Sequence, residues 1–70
     1  MLNNIEAERA RHQMSKEDMA KTFGVTTKTY YNWINEKTDV PSSILIKLAT
    51  MFGVTIDYLL EGSKGVDRKT

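Results

Sequence analysis

The chain has 70 residues, of which ten are Lys or Arg, nine are Asp or Glu, and none is cysteine. So short a chain forms one domain at most, buries only about 60% of its unfolded surface, and has no disulfide or thiolate metal site to support its core. The net charge of +1 neither supports nor excludes a nucleic-acid partner, because what matters is how charge is distributed over the faces.

The apolar residues recur with helical spacing, and strand-like alternation is nowhere sustained, so helices are predicted. A first helix is predicted over residues 2–13. A second, over about residues 15–23, opens with a segment typical of a capping box, in which Ser15 and Asp18 each accept a backbone N–H of the other. Gly24 is expected to end this helix, because glycine adopts the left-handed conformation without a steric penalty at Cβ.

A third helix is predicted over about residues 26–35, with Thr26 as its N-cap. Its inner side would carry the apolar and aromatic residues Tyr30, Trp33 and Ile34. Its outer side would carry polar and amphipathic residues: Thr27, Lys28, Tyr31 and Asn32. A small buried helix has little structural reason to present such a set to solvent, so this outer side is the candidate binding surface.

The fourth helix is predicted to begin at Pro41, whose missing N–H is no loss in a first turn, and to end at Gly53. Its inward side is predicted to be the apolar stripe Leu45, Leu48, Ala49 and Phe52. A short fifth helix follows, with Thr55 as its N-cap and Gly62 as its stop.

The chain is therefore expected to be an all-α protein, a compact five-helix bundle over residues 1–62, followed by a frayed polar tail over residues 63–70. No apolar run is long enough to cross a membrane, and no basic-then-apolar leader opens the chain. We therefore expect a cytoplasmic protein, bacterial or phage in style.

The second helix, the glycine turn and the third helix have the spacing of a helix-turn-helix, in which the second of two helices is presented to a groove. Ala20 provides the small residue needed where the two helices meet, and Gly24 makes the turn. The segments that carry a wider match are Ile5…Arg9, Ser15–Ala20, Gly24–Thr27, Asn35-x-Lys37-Thr38, Pro41-Ser42 and Leu48–Leu60. Over residues 2–62 the sequence resembles the Cro/repressor (XRE) type of helix-turn-helix domain, especially the N-terminal domains of lambdoid phage repressors. This resemblance implies a DNA-binding domain whose third helix enters the major groove, commonly as a dimer on a two-fold operator.

The resemblance places the family's base-reading positions on Thr27, Lys28 and Asn32. Their chemistry fits, because the Asn32 amide can bond adenine N6 and N7, Lys28 can donate to guanine O6 and N7, and Thr27 can contact a thymine methyl. Tyr31 lies between them on the same side and is grouped with them, as a residue that would contact a base edge or the DNA backbone.

The residues expected to bind DNA phosphates are Lys16, Asn35, Lys37 and Arg9. Lys16 stands where the family usually has glutamine and would keep the phosphate role as a point charge. Arg9 has two open alternatives, a phosphate contact or an internal pair, because Ile34 replaces the glutamate that often pairs with it in the family. The family's glycine after Asn35 is Glu36 here, so the third helix must end without its usual glycine.

We therefore expect a sequence-specific DNA-binding transcriptional regulator, a repressor of phage or mobile-element type. It would read double-stranded DNA at a palindromic operator as a weak homodimer. The candidate dimer interface is Val54, Ile56 and Tyr58, in the fifth helix and the turn before it.

The alternative is a protein-interaction module of the same fold, an antitoxin-like or anti-repressor partner with weak or no DNA binding. Glu36 and Asp39 motivate it, because they place negative charge in a loop that normally approaches DNA. The chain could also be the N-terminal part of a longer repressor. No nucleophile motif, glycine-rich phosphate loop or metal-ligand cluster around His12 is evident, so we expect no enzyme activity, cofactor, metal or small-molecule ligand.

Overall fold

The computed structural model describes residues 1–61, which contain five α-helices and no strand. In chain order they are α1 (Asn3–Arg11), α2 (Lys16–Phe23), α3 (Thr27–Ile34), α4 (Ser42–Phe52) and α5 (Ile56–Leu60). The prediction of an all-α, five-helix protein is confirmed, and none of these helices is long and apolar enough to span a membrane. The predicted stop at Gly62 and the tail over residues 63–70 lie outside the described residues.

Three of the helices begin at a hydroxyl side chain. The Ser15 hydroxyl accepts the N–H of Asp18 at 3.0 Å and the Asp18 carboxylate accepts the N–H of Ser15 at 2.9 Å, so the predicted capping box is confirmed. The hydrogen bond from the Ser15 N–H also holds the pKa of Asp18 below its usual value. Thr26 and Thr55 likewise accept, at 3.1 Å, the backbone N–H three residues later. Each cap satisfies a donor that the first turn leaves without a helical partner.

The predicted glycine stops are also confirmed, because Gly24 lies at φ 69° and Gly53 at φ 68°, in the left-handed region. The third helix ends without glycine: Asn35 is the C-cap, and Glu36 itself adopts the left-handed conformation at φ 61°. Such a backbone costs a residue with a Cβ atom roughly 1–2 kcal/mol. Helix α1 ends earlier than predicted, because Gln13 also turns left-handed, at φ 57°.

The core receives buried side chains from all five helices. Its members are Leu2, Ile5, Met19, Ala20, Tyr30, Trp33, Ile34, Leu48, Phe52 and Leu59. The predicted inner side of the third helix is therefore confirmed, with Tyr30 only 1% exposed. Every buried side-chain nitrogen or oxygen in the described part of the chain has a hydrogen-bond partner.

The predicted inward stripe of the fourth helix is partly wrong. Leu48 and Phe52 are buried as expected, but Ile44 rather than Leu45 packs against the core. Ile44, Leu48 and Phe52 are spaced four residues apart, so they follow one side of the helix. Pro41 is the N-cap of α4 rather than its first residue.

Candidate nucleic-acid interface

Helices α2 and α3 pack against each other through a tight turn. The N–H of Gly24 donates to the carbonyl oxygen of Lys21 at 3.2 Å, and the N–H of Val25 donates to that of Ala20 at 2.9 Å. Ala20 is buried, and its small side chain lets the two helices approach closely. Since Thr26 then caps α3 at once, the turn and the start of α3 form one continuous hydrogen-bonded unit.

The outer side of α3 carries the four residues predicted to contact DNA bases. Lys28 and Tyr31 are exposed, Tyr31 to 42%, whereas Thr27 and Asn32 are partly buried. Two of the four, Lys28 and Tyr31, thus lie on the solvent-exposed side of α3, and the other two are partly shielded from solvent. Base reading by this set stays a prediction.

Lys16, the first residue of α2, lies beside this surface. Its ammonium is 5.0 Å from the centroid of the Tyr31 ring and 3.9 Å from a carboxylate oxygen of Glu6. The negative face of an aromatic ring attracts such a cation. One of the cations expected to bind phosphate is therefore held next to the outer side of α3.

Asn35 and Lys37 follow α3 and are both exposed. Their backbone N–H groups donate to the carbonyl oxygens of Tyr31 and Asn32, each at 2.9 Å. Their side chains, rather than these N–H groups, are therefore the parts that can reach a phosphate. That phosphate role also stays a prediction.

Arg9 is paired inside the domain, which is one of the two alternatives that the sequence left open; its phosphate role stays a prediction. Its Nε and Nη2 donate to the Glu6 carboxylate at 3.3 and 3.0 Å, and its Nη1 donates to the carbonyl oxygen of Met14 at 2.6 Å. The hydrogen bond with Glu6 raises the pKa of Arg9. A phosphate contact would require the guanidinium to leave these acceptors. The physical reason is that Glu6 lies one turn earlier on the same helix and replaces the partner missing at Ile34.

Glu6 is the site residue that the sequence prediction missed. Besides Arg9, it accepts a hydrogen bond of 2.6 Å from the Tyr30 hydroxyl. Burial opposes ionisation of Glu6, but the hydrogen bonds from Arg9 and Tyr30 and the charges of Arg9 and Lys16 outweigh it, so its pKa is lowered. Burial and the Glu6 carboxylate raise the pKa of Tyr30. The three-residue spacing of Glu6 and Arg9 on one helix could have predicted their ion pair. Nothing in the sequence predicted the hydrogen bond between Glu6 and Tyr30.

Comparison with known proteins decides the family. The profile of the family described as "Helix-turn-helix" matches residues 5–59, which include α2, the turn and α3. The chain belongs to the helix-turn-helix family. The resemblance to an XRE-type helix-turn-helix domain is thereby confirmed.

A relative of this helix-turn-helix chain occurs in Methanocaldococcus jannaschii, where it is named an uncharacterized HTH-type transcriptional regulator. The two are 35% identical over 57 residues, which cover 81% of this chain and 86% of the relative. No solved structure matches the chain significantly.

Part of the predicted dimer interface of this helix-turn-helix domain makes contacts within the domain itself. Val54, Ile56 and Tyr58 are all partly buried, and Val54 and Tyr58 pack against the core. The Tyr58 hydroxyl donates to the buried Glu8 carboxylate at 3.0 Å, which raises the pKa of Tyr58. The Tyr58 carbonyl oxygen accepts from the Asn4 side chain at 2.7 Å. These contacts attach α5 to α1, and a role in dimerisation stays a prediction.

His12 lies at the end of α1, where its ring is 4.8 Å from that of Phe52 between centroids. Its Nδ1 is 2.9 Å from the carbonyl oxygen of Glu8 and 3.9 Å from the Glu8 carboxylate. Among residues 1–61, no group of three or more His, Cys, Asp or Glu side chains is arranged to hold a metal ion.

Proposed function

We propose that this helix-turn-helix domain is a DNA-binding transcriptional regulator that reads base edges in the major groove with the outer side of α3. The observation that carries the proposal is the set of polar groups that α3 keeps outside its buried side: the ammonium of Lys28 and the phenol of Tyr31, both exposed, and the hydroxyl of Thr27 and the amide of Asn32, both partly buried. Such donors and acceptors match base edges, whereas a protein-binding hot spot centres on an aromatic or aliphatic anchor with a polar rim. The name of the relative, a transcriptional regulator, supports the same function.

The four side chains have distinct roles in this proposal. Asn32 would bond adenine, Lys28 would donate to guanine and Thr27 would contact a thymine methyl, while Tyr31 contacts a base edge or the backbone beside them. Thr27 and Asn32 are partly buried, so their side chains lose less conformational freedom on binding than fully exposed ones would.

The phosphate contacts in this proposal come from Lys16, Asn35 and Lys37, without Arg9. Asp39 places negative charge in the same loop as Asn35 and Lys37, whereas the Glu36 carboxylate is paired with the N-terminal ammonium at 2.7 Å. Because each phosphate contact contributes about 0.9 to the slope of log affinity against log salt concentration, we expect a modest slope.

We further propose that the regulator is a repressor of phage or mobile-element type, and that it binds a palindromic operator as a weak homodimer that tightens on DNA. A two-fold operator mirrors the symmetry of a protein dimer. The dimer surface would involve Val54, Ile56 and Tyr58, of which Ile56 is partly buried and is not among the residues packed against the core. Analytical ultracentrifugation on operator-length DNA tests this proposal, and a strictly monomeric complex would contradict it.

The experiment that tests DNA reading is selection from random double-stranded DNA, followed by titration of the selected duplex at two salt concentrations. We expect a palindromic sequence to be enriched. Asn32→Ala should weaken its binding by roughly 1–3 kcal/mol and relax the preference at one base pair per half-site.

Thr50→Ala is the matched control, because Thr50 is an exposed residue of α4 outside the proposed interface. It should bind the selected duplex as the wild type does. If no sequence is enriched, and the weak salt-sensitive binding is unchanged by Asn32→Ala, the protein-interaction alternative is favoured instead.

A further inference from the structure

The Glu6 carboxylate lies where α1, α2 and α3 meet. One oxygen accepts from the Tyr30 hydroxyl at 2.6 Å and from Arg9 Nε at 3.3 Å. The other accepts from Arg9 Nη2 at 3.0 Å and lies 3.9 Å from the Lys16 ammonium. A single side chain of α1 thus contacts the first residue of α2 and the middle of α3.

These contacts orient the outer side of α3. Tyr30 is buried, and a hydrogen bond between its hydroxyl and an ionised carboxylate is among the stronger kinds. Since Tyr30 immediately precedes Tyr31 and Asn32 on the same helix, restricting Tyr30 restricts the rotation of α3 about its axis. That rotation decides which side chains face a groove.

The same carboxylate also restrains Lys16. The Lys16 ammonium has Glu6 on one side and the Tyr31 ring on the other, and its side chain is only 35% exposed. A lysine left to itself on a surface samples many rotamers, and ordering it at an interface costs about 0.5–1.5 kcal/mol. In this domain the Lys16 side chain is already partly ordered in the absence of DNA.

We propose that Glu6 is a positioning residue for DNA recognition, which sets the base-reading side of α3 through Tyr30 and holds the phosphate-binding Lys16 against Tyr31. This role rests on the proposed DNA-binding function. Glu6 does not touch DNA: its carboxylate would repel phosphates, so its contribution is orientation and not attraction.

Orientation and charge affect different observables. Removing the Glu6 charge makes the domain more positive, so binding to any DNA strengthens at low salt. Loss of orientation weakens binding to the selected operator relative to scrambled DNA. The ratio of operator affinity to scrambled-duplex affinity therefore reports positioning separately from charge.

The experiment measures this ratio for the wild type, Glu6→Gln and the matched control Glu8→Gln. Both substitutions remove one negative charge from α1 and take a carboxylate acceptor from a tyrosine hydroxyl, Tyr30 of α3 for Glu6 and Tyr58 of α5 for Glu8. We expect Glu6→Gln to lower the ratio by about tenfold, the size of one hydrogen bond to a charged group, and Glu8→Gln to leave it within about twofold.

Two further variants separate positioning from general destabilisation. Tyr30→Phe keeps the ring and the net charge but removes the hydroxyl that Glu6 accepts, so it should lower the ratio as Glu6→Gln does. Lys16→Met, combined with Glu6→Gln, closes a double-mutant cycle. If Glu6 acts partly through Lys16, the loss of operator affinity from Glu6→Gln is smaller in the Lys16→Met background.

The outcomes distinguish the two proposals. A wild type without operator preference overturns the proposed function and the positioning role with it. An operator preference that survives both Glu6→Gln and Tyr30→Phe, or that Glu8→Gln lowers equally, overturns only the positioning role. Circular dichroism establishes whether each variant is folded at the binding temperature. If Glu6→Gln is unfolded, the operator preference of Tyr30→Phe tests the positioning role instead.

Discussion

Helix α1 sends two carboxylates in different directions, Glu6 toward α3 and Glu8 toward α5. Each accepts a tyrosine hydroxyl, at 2.6 Å from Tyr30 and at 3.0 Å from Tyr58. Glu6 also has the guanidinium of Arg9 at 3.0 Å, whereas the guanidinium near Glu8, that of Arg11, is 3.7 Å away. The Glu8 side chain is the more buried, 5% exposed against 15% for Glu6.

The same interaction, a tyrosine hydroxyl that donates to a glutamate of α1, has different consequences at the two sites. The Glu8 contact attaches the short helix α5 to the body of the domain, and lies on the side where the dimer surface is proposed. The Glu6 contact joins α1 to the helix pair that carries the candidate DNA interface, and the partly exposed cation of Lys16 lies beside it. We therefore expect changes at Glu8 to affect mainly stability, and changes at Glu6 to affect both stability and binding.

The largest expected effect on stability comes from Tyr30→Phe. It removes a hydrogen bond to a charged group in the core, so the free energy of unfolding should fall by roughly 1.5–3 kcal/mol, as measured by urea denaturation. Tyr58→Phe, which removes the corresponding hydroxyl from a partly buried ring, should cost less. Equal losses in the two variants would show that the two contacts do not differ in the way proposed.

The helix caps give a second, smaller test of the same comparison. Thr26→Ala and Thr55→Ala each remove a hydroxyl that accepts a backbone N–H, and each should lower the free energy of unfolding by about 1 kcal/mol. Thr26→Ala, at the start of α3, should also weaken operator binding. Unchanged operator binding in Thr26→Ala would argue against α3 as the reading helix.

The smallest effect is expected in the dependence of stability on pH. Burial opposes ionisation of Glu6, but hydrogen bonds from Arg9 and Tyr30 leave its pKa lowered in the folded state. As pH falls, the unfolded chain takes up this proton first, so the contribution of Glu6 is fully present above the ordinary value of 4.5 and is lost as pH falls through the folded value.

This dependence is measured as the free energy of unfolding of the wild type and Glu6→Gln between about pH 6 and about pH 3. The wild type should lose more stability than the variant toward the acid end. The contribution of Asp18, whose pKa is also lowered, cancels in this difference, because both proteins retain it. If the free energies of unfolding of the two proteins change with pH in parallel, the ionised Glu6 carboxylate is not stabilised by Arg9 and Tyr30.

The candidate site was partly predictable from the sequence, and the limits have a physical cause. The inner side of α3 was predicted correctly, because the sides of a helix follow from its 3.6-residue period, whereas on the predicted outer side Thr27 and Asn32 are partly buried. The partner of Arg9 was left open, although Glu6, three residues earlier on α1, was a local candidate; only the contact of Arg9 with the Met14 carbonyl oxygen lies beyond that helix. From the sequence, either Ile44 or Leu45 could face the core. Ile44 packs against it because of how α4 is rotated against its neighbours, which the sequence pattern does not show.

By itself the sequence determined the N-caps of α2, α3 and α5, the glycine stops of α2 and α4, which side of α3 is buried, and which family the chain belongs to. Caps such as Ser15 and Thr26 and stops such as Gly24 act over three or four residues, so local chemistry suffices. The tertiary structure alone decided that Glu6 meets Tyr30, 24 residues away, and that Glu8 meets Tyr58, 50 residues away. Such pairs have no local signal, because their geometry exists only after the core has brought distant helices together.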